Sequence, residues 1–108
     1  MIKVIITADD FGMSKVFNEK ILHLLDKGFI TSTNIMILRV TPDQKDQLSR
    51  LKEIYTRKDI SVGLHCEFID QEHIKDKISE QFEKFHALIG FNPTHLDIHK
   101  TPAKETIE

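Results

Sequence analysis

The sequence predicts an α/β domain built on a parallel sheet, because short β-rich runs and longer amphipathic stretches alternate strictly along it. Two observations carry that expectation. Residues 2–8 (IKVIITA) and 60–66 (ISVGLHC) are rich in β-branched and apolar side chains, as strands inside a parallel sheet are. Between such runs, apolar residues recur at the helical period and two of the series stop at a glycine, Gly28 and Gly90.

Taken in order, residues 2–8 read as a strand buried on both faces. Ser14 follows as an N-cap, and Phe17, Ile21, Leu24 and Leu25 mark the inner face of a first helix. Residues 31–38 (TSTNIMIL) read as a second strand. Thr41-Pro42 supplies an N-cap and a first-turn proline for a second helix that faces inward through Leu48, Leu51, Ile54 and Tyr55. Residues 60–66 form a third strand, and a long third helix presents Ile74, Ile78, Phe82, Phe85, Leu88 and Ile89. Residues 94–99 (THLDIH) form a fourth strand, and residues 101–108 form a polar tail. The order is βαβαβαβ, either a small open sheet or the first half of a larger barrel. Four such strands expose two edges and leave apolar interior faces in need of cover, so a second copy or a complementing chain is the expected partner.

Composition narrows the class. The 108 residues suit one domain, and 40% of them are hydrophobic, enough for a core. Fifteen Lys and Arg against seventeen Asp and Glu give a net charge of −2, without the basic surplus of a nucleic-acid binder. No run approaches the roughly 20 apolar residues that span a bilayer. The single cysteine, Cys66, excludes an internal disulfide framework, and a cytoplasmic location is expected.

In parallel α/β folds the chemistry gathers beyond the carboxyl ends of the strands. Here the first strand ends in Asp9-Asp10, the third near His65 and Glu67, and the fourth in His95, Asp97 and His99. Alternation puts Ser61, Gly63, His65 and Glu67 on one face of their strand, and His95, Asp97 and His99 on one face of theirs. An Asp with two His suits a divalent hydrolytic metal, Zn²⁺, Mg²⁺ or Mn²⁺. Strict alternation separates Asp9 from Asp10, so both reach one site only if the strand ends or bulges near Ala8, with Gly12 close by to permit it.

Taken singly, each element has a plainer explanation. Asp-Asp after a strand is a common turn, and a lone His65 is more often structural than a ligand. His23, His73 and His86 fall on helices as surface or boundary residues. Cys66 shares the apolar face of its strand as an inert core thiol, and Glu67 belongs in solvent more readily than beside the site. The composite at the strand ends is what favours a metal hydrolase.

The stretch Thr7-Ala8-Asp9-Asp10-Phe11-Gly12-Met13-Ser14 resembles the opening motif of the YdjC-like, or chitooligosaccharide deacetylase-like, carbohydrate deacetylases. Asn18-Glu19, Gly28-Phe29-Ile30-Thr31-Ser32-Thr33, Val62-Gly63-Leu64-His65 and Pro93-Thr94-His95-Leu96-Asp97-Ile98-His99 follow in the family's order. The resemblance implies a deformed (β/α) barrel, with residues 1–100 as its N-terminal part, and removal of N-acetyl groups from small carbohydrates. It implies Asp9 as catalytic carboxylate, Asp10, His65 and His99 as ligands of Mg²⁺ or Zn²⁺, and His95 and Asp97 in a supporting shell. No other cofactor is implied. The cation would polarise the acetamide of an N-acetylated mono- or oligosaccharide and acidify its water, with Asp9 taking the proton.

Three departures accompany the resemblance. Family members are longer, the stretch between His65 and Pro93 is short, and Lys100-Thr101-Pro102-Ala103 stands where further histidines are usual. The alternative to a deacetylase is therefore a non-catalytic remnant that binds metal or a partner chain.

Overall fold

The computed structural model describes residues 4–68 and 72–98. The strands are β1 (Thr7–Phe11), β2 (Ser32–Ile35), β3 (Ser61–Cys66) and β4 (Leu96–Ile98), and the helices are α1 (Lys15–Asp26), α2 (Lys45–Arg57) and α3 (Ile74–Ile89). The strands form one sheet in the order β1-β2-β3-β4, every pair parallel. This is the parallel α/β arrangement the alternating pattern predicts, consistent with part of a (β/α) barrel.

The helices pack on one face of the sheet. Ile35, Val62, Leu64 and Cys66 meet Ile21, Leu22 and Leu25 of α1, Leu48, Leu51 and Ile54 of α2, and Phe85 and Ile89 of α3 in a single apolar cluster. Tyr55 stacks on Phe91 with ring centroids 4.0 Å apart, and Phe85 meets Phe91 edge-on, which joins α2 to the end of α3. Ser14 caps α1 as expected, its hydroxyl accepting from Phe17 N–H at 3.1 Å. The inner face of α1 differs from the expected one: Leu22 is buried and Phe17 is exposed, because the helix turns Asn18 inward. On α3, Phe85 and Ile89 are buried, whereas Ile74 and Leu88 lie at the margin.

Several boundaries move. The first strand starts at Thr7 and continues through the Asp-Asp pair. Val4, Ile5 and Ile6 precede it and are exposed rather than buried on both faces, because among the described residues β1 has a neighbour on one side only. The second strand ends at Ile35, and residues 37–39 close into a 3₁₀ turn. Thr41 sits at the N-cap of a further 3₁₀ turn, Pro42–Gln44, that leads into α2. Its hydroxyl bonds the Asp43 side chain instead of capping the backbone. The polar tail 101–108 and His99 lie outside the described residues.

The expectation of uncovered apolar interior faces is corrected. By register, the side of the sheet away from the helices carries Thr7, Ser32, Asn34, Ser61, Gly63, His65 and Asp97, all polar or glycine. Among the described residues, the exposed apolar groups of the sheet region sit at its edges instead, as Leu96 and Ile98 on β4 and Val4, Ile5 and Ile6 before β1.

Candidate metal centre

The polar face acquires its carboxylates through a bulge. Ala8 pairs with Thr33 and Phe11 with Ile35, so Asp9 and Asp10 both lie opposite the single residue Asn34. Asp10 takes a left-handed conformation, φ 72°, which Asp tolerates better than most side chains. This is the condition for Asp9 and Asp10 to serve one site, and it leaves Phe11 back in the core, fully buried. Gly12 makes the turn possible: its φ is 108°, and a Cβ there would lie 2.9 Å from the Met36 carbonyl oxygen.

A buried amide network fixes that turn. Asn18 Oδ1 accepts from Gly12 N–H at 2.8 Å, and Gln44 Nε2 donates to the Gly12 carbonyl at 3.0 Å. Asn18 Nδ2 donates in turn to Gln44 Oε1 and Gln47 Oε1. Gln47 Nε2 reaches the Lys15 carbonyl and Glu19, and Glu19 pairs with Arg50 at 2.6 Å. Asn18-Glu19 thus connects the loop carrying the acids to both α1 and α2.

Asp9, His65 and Asp97 offer donor atoms within 4.8 Å of one another, a spacing that can hold a cation. His65 is 6% exposed; its Nε2 lies 3.9 Å from Asp10 Oδ1 and its Nδ1 lies 3.6 Å from Asp97 Oδ2. The imidazole therefore stands between two carboxylates, one beside each nitrogen. Asp10 Oδ1 is buried and has no hydrogen-bond partner among the described residues. A buried carboxylate oxygen in that condition costs free energy unless something compensates it, and a bound cation would. Asp97 accepts from its neighbour Ile98 N–H at 2.8 Å and stays exposed.

The expected site residues are therefore distributed as follows. Asp9, Asp10, His65 and Asp97 converge. His95 turns toward β2, with Nε2 against Asn34 Oδ1 and Nδ1 3.0 Å from the Thr94 hydroxyl. His99 lies outside the described residues. His23, His73 and His86 are exposed on or beside helices, as expected. Glu67 departs from the solvent-exposed reading: it is half-buried and ion-paired with Arg39 at 3.1 Å, and Gln81 bonds both its backbone N–H and its carbonyl. Cys66 is fully buried, and that burial, with the nearby charge of Asp97, pushes its thiol up to about 11, so it is inert at neutral pH.

Sequence reasoning missed Asn34. Its Nδ2 donates to Asp9 Oδ1 at 2.7 Å and to Asp97 Oδ2 at 3.3 Å, so it belongs to the site. The available signal was an Asn in the interior of a β-rich run, a place where Asn is depleted.

Two curated relatives, each named chitooligosaccharide deacetylase, come from Klebsiella pneumoniae strain 342 and from Klebsiella pneumoniae subsp. pneumoniae. They are 27% and 25% identical over 126 aligned residues, covering 89% of this chain and 48% of each relative. The chain thus spans about half the length of the curated relatives it matches. No solved structure matches it. The family described as YdjC-like protein matches residues 3–75, a stretch that includes the bulged acids, Asn34 and His65. With well over half its residues in that match, the chain belongs to the YdjC-like protein family.

Proposed function

We propose that the chain builds the divalent-cation centre of a carbohydrate deacetylase acting on N-acetylated mono- or oligosaccharides, with Mg²⁺ or Zn²⁺ as the cation. The observation that carries this reading is the bulge, which brings Asp9 and Asp10 to His65 and Asp97 on a polar face at the carboxyl end of the sheet. Asp10, His65 and His99 would hold the ion, and the unpartnered buried oxygen of Asp10 fits that role. Asp97 lies on the Nδ1 side of His65, the place of a carboxylate that orients an imidazole and leaves Nε2 to face the ion. When bound, the cation supplies Lewis-acid polarisation of an amide carbonyl and a more acidic water.

Asp9 is assigned as general base. It is more exposed than Asp10, and the Asn34 hydrogen bond on Oδ1 orients its carboxylate while leaving lone pairs to receive a proton. The Asn18–Gln44 clamp on Gly12 holds the loop that carries both acids, so the base and the cation ligand keep their relative positions. Asn34 and His95 support this arrangement from β2 and from the residue before β4. A reducing cytoplasm suits the lone Cys66.

One observation favours a second reading, cation binding without turnover: Lys100-Thr101-Pro102-Ala103 stands where the resemblance implies further histidines. Calorimetric titration with Zn²⁺ and Mg²⁺, paired with an acetate-release assay on N-acetylated chitooligosaccharides, separates the two. Saturable binding lost in His65→Ala, together with acetate release, supports the deacetylase. Binding without acetate release supports the second reading, and absence of saturable binding overturns both.

A further inference from the structure

Asn34 is 3% exposed, and its one amide meets three neighbours of two chemical kinds. Both N–H donors turn to carboxylates, Asp9 at 2.7 Å and Asp97 at 3.3 Å, while Oδ1 faces His95 Nε2. The amide orientation follows from this chemistry. Ionised carboxylates only accept, so the nitrogen must face them, and the oxygen is left to take an imidazole N–H. Neither Asp nor Leu, the side chains nearest in shape, could do both.

The imidazole reaches Asn34 by crossing a strand. Asn34 lies on β2, and its register partner on β3 is Gly63; His95 comes from beyond β3, just before β4. Neighbouring strands are separated by about 4.8 Å, so a side chain at position 63 would occupy the path. A Cβ there would lie 2.5 Å from His95 Cδ2 and 2.6 Å from Asn34 Oδ1, both far inside contact distance. Glycine at 63 is thus required by the His95–Asn34 contact, since no unusual backbone angle calls for it there.

Two carboxylates brought this close repel each other, and two N–H donors from one buried amide offset that repulsion. We propose that Asn34, held in orientation by His95 across Gly63, is the positioning residue that keeps Asp9 and Asp97 together on the polar face. Its effect on cation affinity rests on the metal-centre reading above; the carboxylate-holding role does not.

The test has two arms, both on the whole chain. In the first, Mn²⁺ is titrated by calorimetry into wild type, Asn34→Ala and Gly63→Ala, with circular dichroism and a thermal melt for each. Asn34 acts on the ion through Asp97, the carboxylate beside His65 Nδ1, so the expected loss is at the lower end of the about 10- to 100-fold that removal of an outer-shell partner causes. That loss is expected in Asn34→Ala, and a smaller loss in the same direction in Gly63→Ala, which keeps the amide but displaces the imidazole. A lower melting temperature with Mn²⁺ affinity within about twofold of wild type in both variants overturns the proposal, because support of the fold alone would then explain the contacts.

In the second arm, the Asn34 side-chain amide protons are followed by NMR in metal-free wild type, Asp9→Asn and Asp97→Asn. One proton is expected to shift in each variant, and both to exchange slowly in wild type. Protons indifferent to both substitutions overturn the proposal. If wild type binds no Mn²⁺ while the protons respond, the positioning role stands and the metal-centre reading falls.

Discussion

The two faces of the sheet obey different rules, although they are built from the same four strands. On the helix side, Ile35, Val62, Leu64 and Cys66 are fully buried and apolar, and their contribution is stability. On the other side, Ser32, Asn34 and His65 are nearly as buried and yet polar, and each must be matched by hydrogen bonds or charge. Burial alone therefore does not distinguish core from site in this protein; the partner does. The helix face fills space, whereas the polar face fixes atoms at distances. The consequence is that the two faces should fail in different ways when altered.

The sharpest contrast comes from a core aromatic. Phe85→Ala removes a fully buried ring from the helix face and should cost about 3–5 kcal/mol in urea denaturation. His65→Ala should abolish Mg²⁺ or Zn²⁺ binding with a smaller shift of the urea midpoint. Equal losses of stability in the two variants would erase the distinction between the faces.

Cys66 gives the next largest effect. Its thiol is raised from 9.0 to about 11 in the folded chain. Below pH 9 both states keep the proton and stability is unaffected; above it the unfolded chain ionises first, so stability falls as pH rises toward 11. The loss should approach about 2–3 kcal/mol, from the size of that shift. Comparing urea midpoints at pH 8 and pH 10.5 checks it, and Cys66→Ala should flatten the difference.

Asn18→Leu tests the link between the faces. It leaves the Gly12 N–H and two glutamine side chains without their partner, each buried, at a cost of about 1–3 kcal/mol. It should also weaken cation binding, because Gly12 lies only two residues after Asp10 in the same turn. A destabilised variant that binds cation normally would show that Asp10 holds its place without the clamp.

The smallest effect is expected at the surface. Arg50 and Arg57 hold the carboxyls of Glu19 and Asp26 below their usual range by hydrogen bonds. That stabilisation is present at neutral pH and disappears as pH falls through the lowered values. Both groups are exposed, so Arg57→Gln should shift an acid-denaturation curve only slightly, and less at high salt.

Much of this was legible in the sequence, for identifiable reasons. Strand–helix alternation, the Ser14 cap and the helix end at Gly90 depend on local chemistry, and they are found where the residues predict them. The convergence of Asp9, Asp10 and His65 was legible only as a condition, since alternation separates the two acids and a bulge reunites them. Gly12 hinted at that bulge, but its necessity comes from the Met36 carbonyl, which is far along the chain. Asn34 was not legible as a site residue. Its role depends on the register of β2 against β3 and on an imidazole that crosses Gly63, and neither is encoded in a local pattern. The apolar run before Thr7 misled for a related reason: apolar residues mark a strand, but whether anything covers them depends on its place in the sheet.

The most direct test of the metal centre is the position of the ion itself. Crystals of the chain grown with Mn²⁺ should show one strong anomalous-scattering peak on the polar face, within about 2.0–2.3 Å of His65 Nε2 and a carboxylate oxygen of Asp10. A peak elsewhere, for instance among Glu19, Asp26 and Glu53 in the cleft between α1 and α2, or no peak at saturating Mn²⁺, would contradict it.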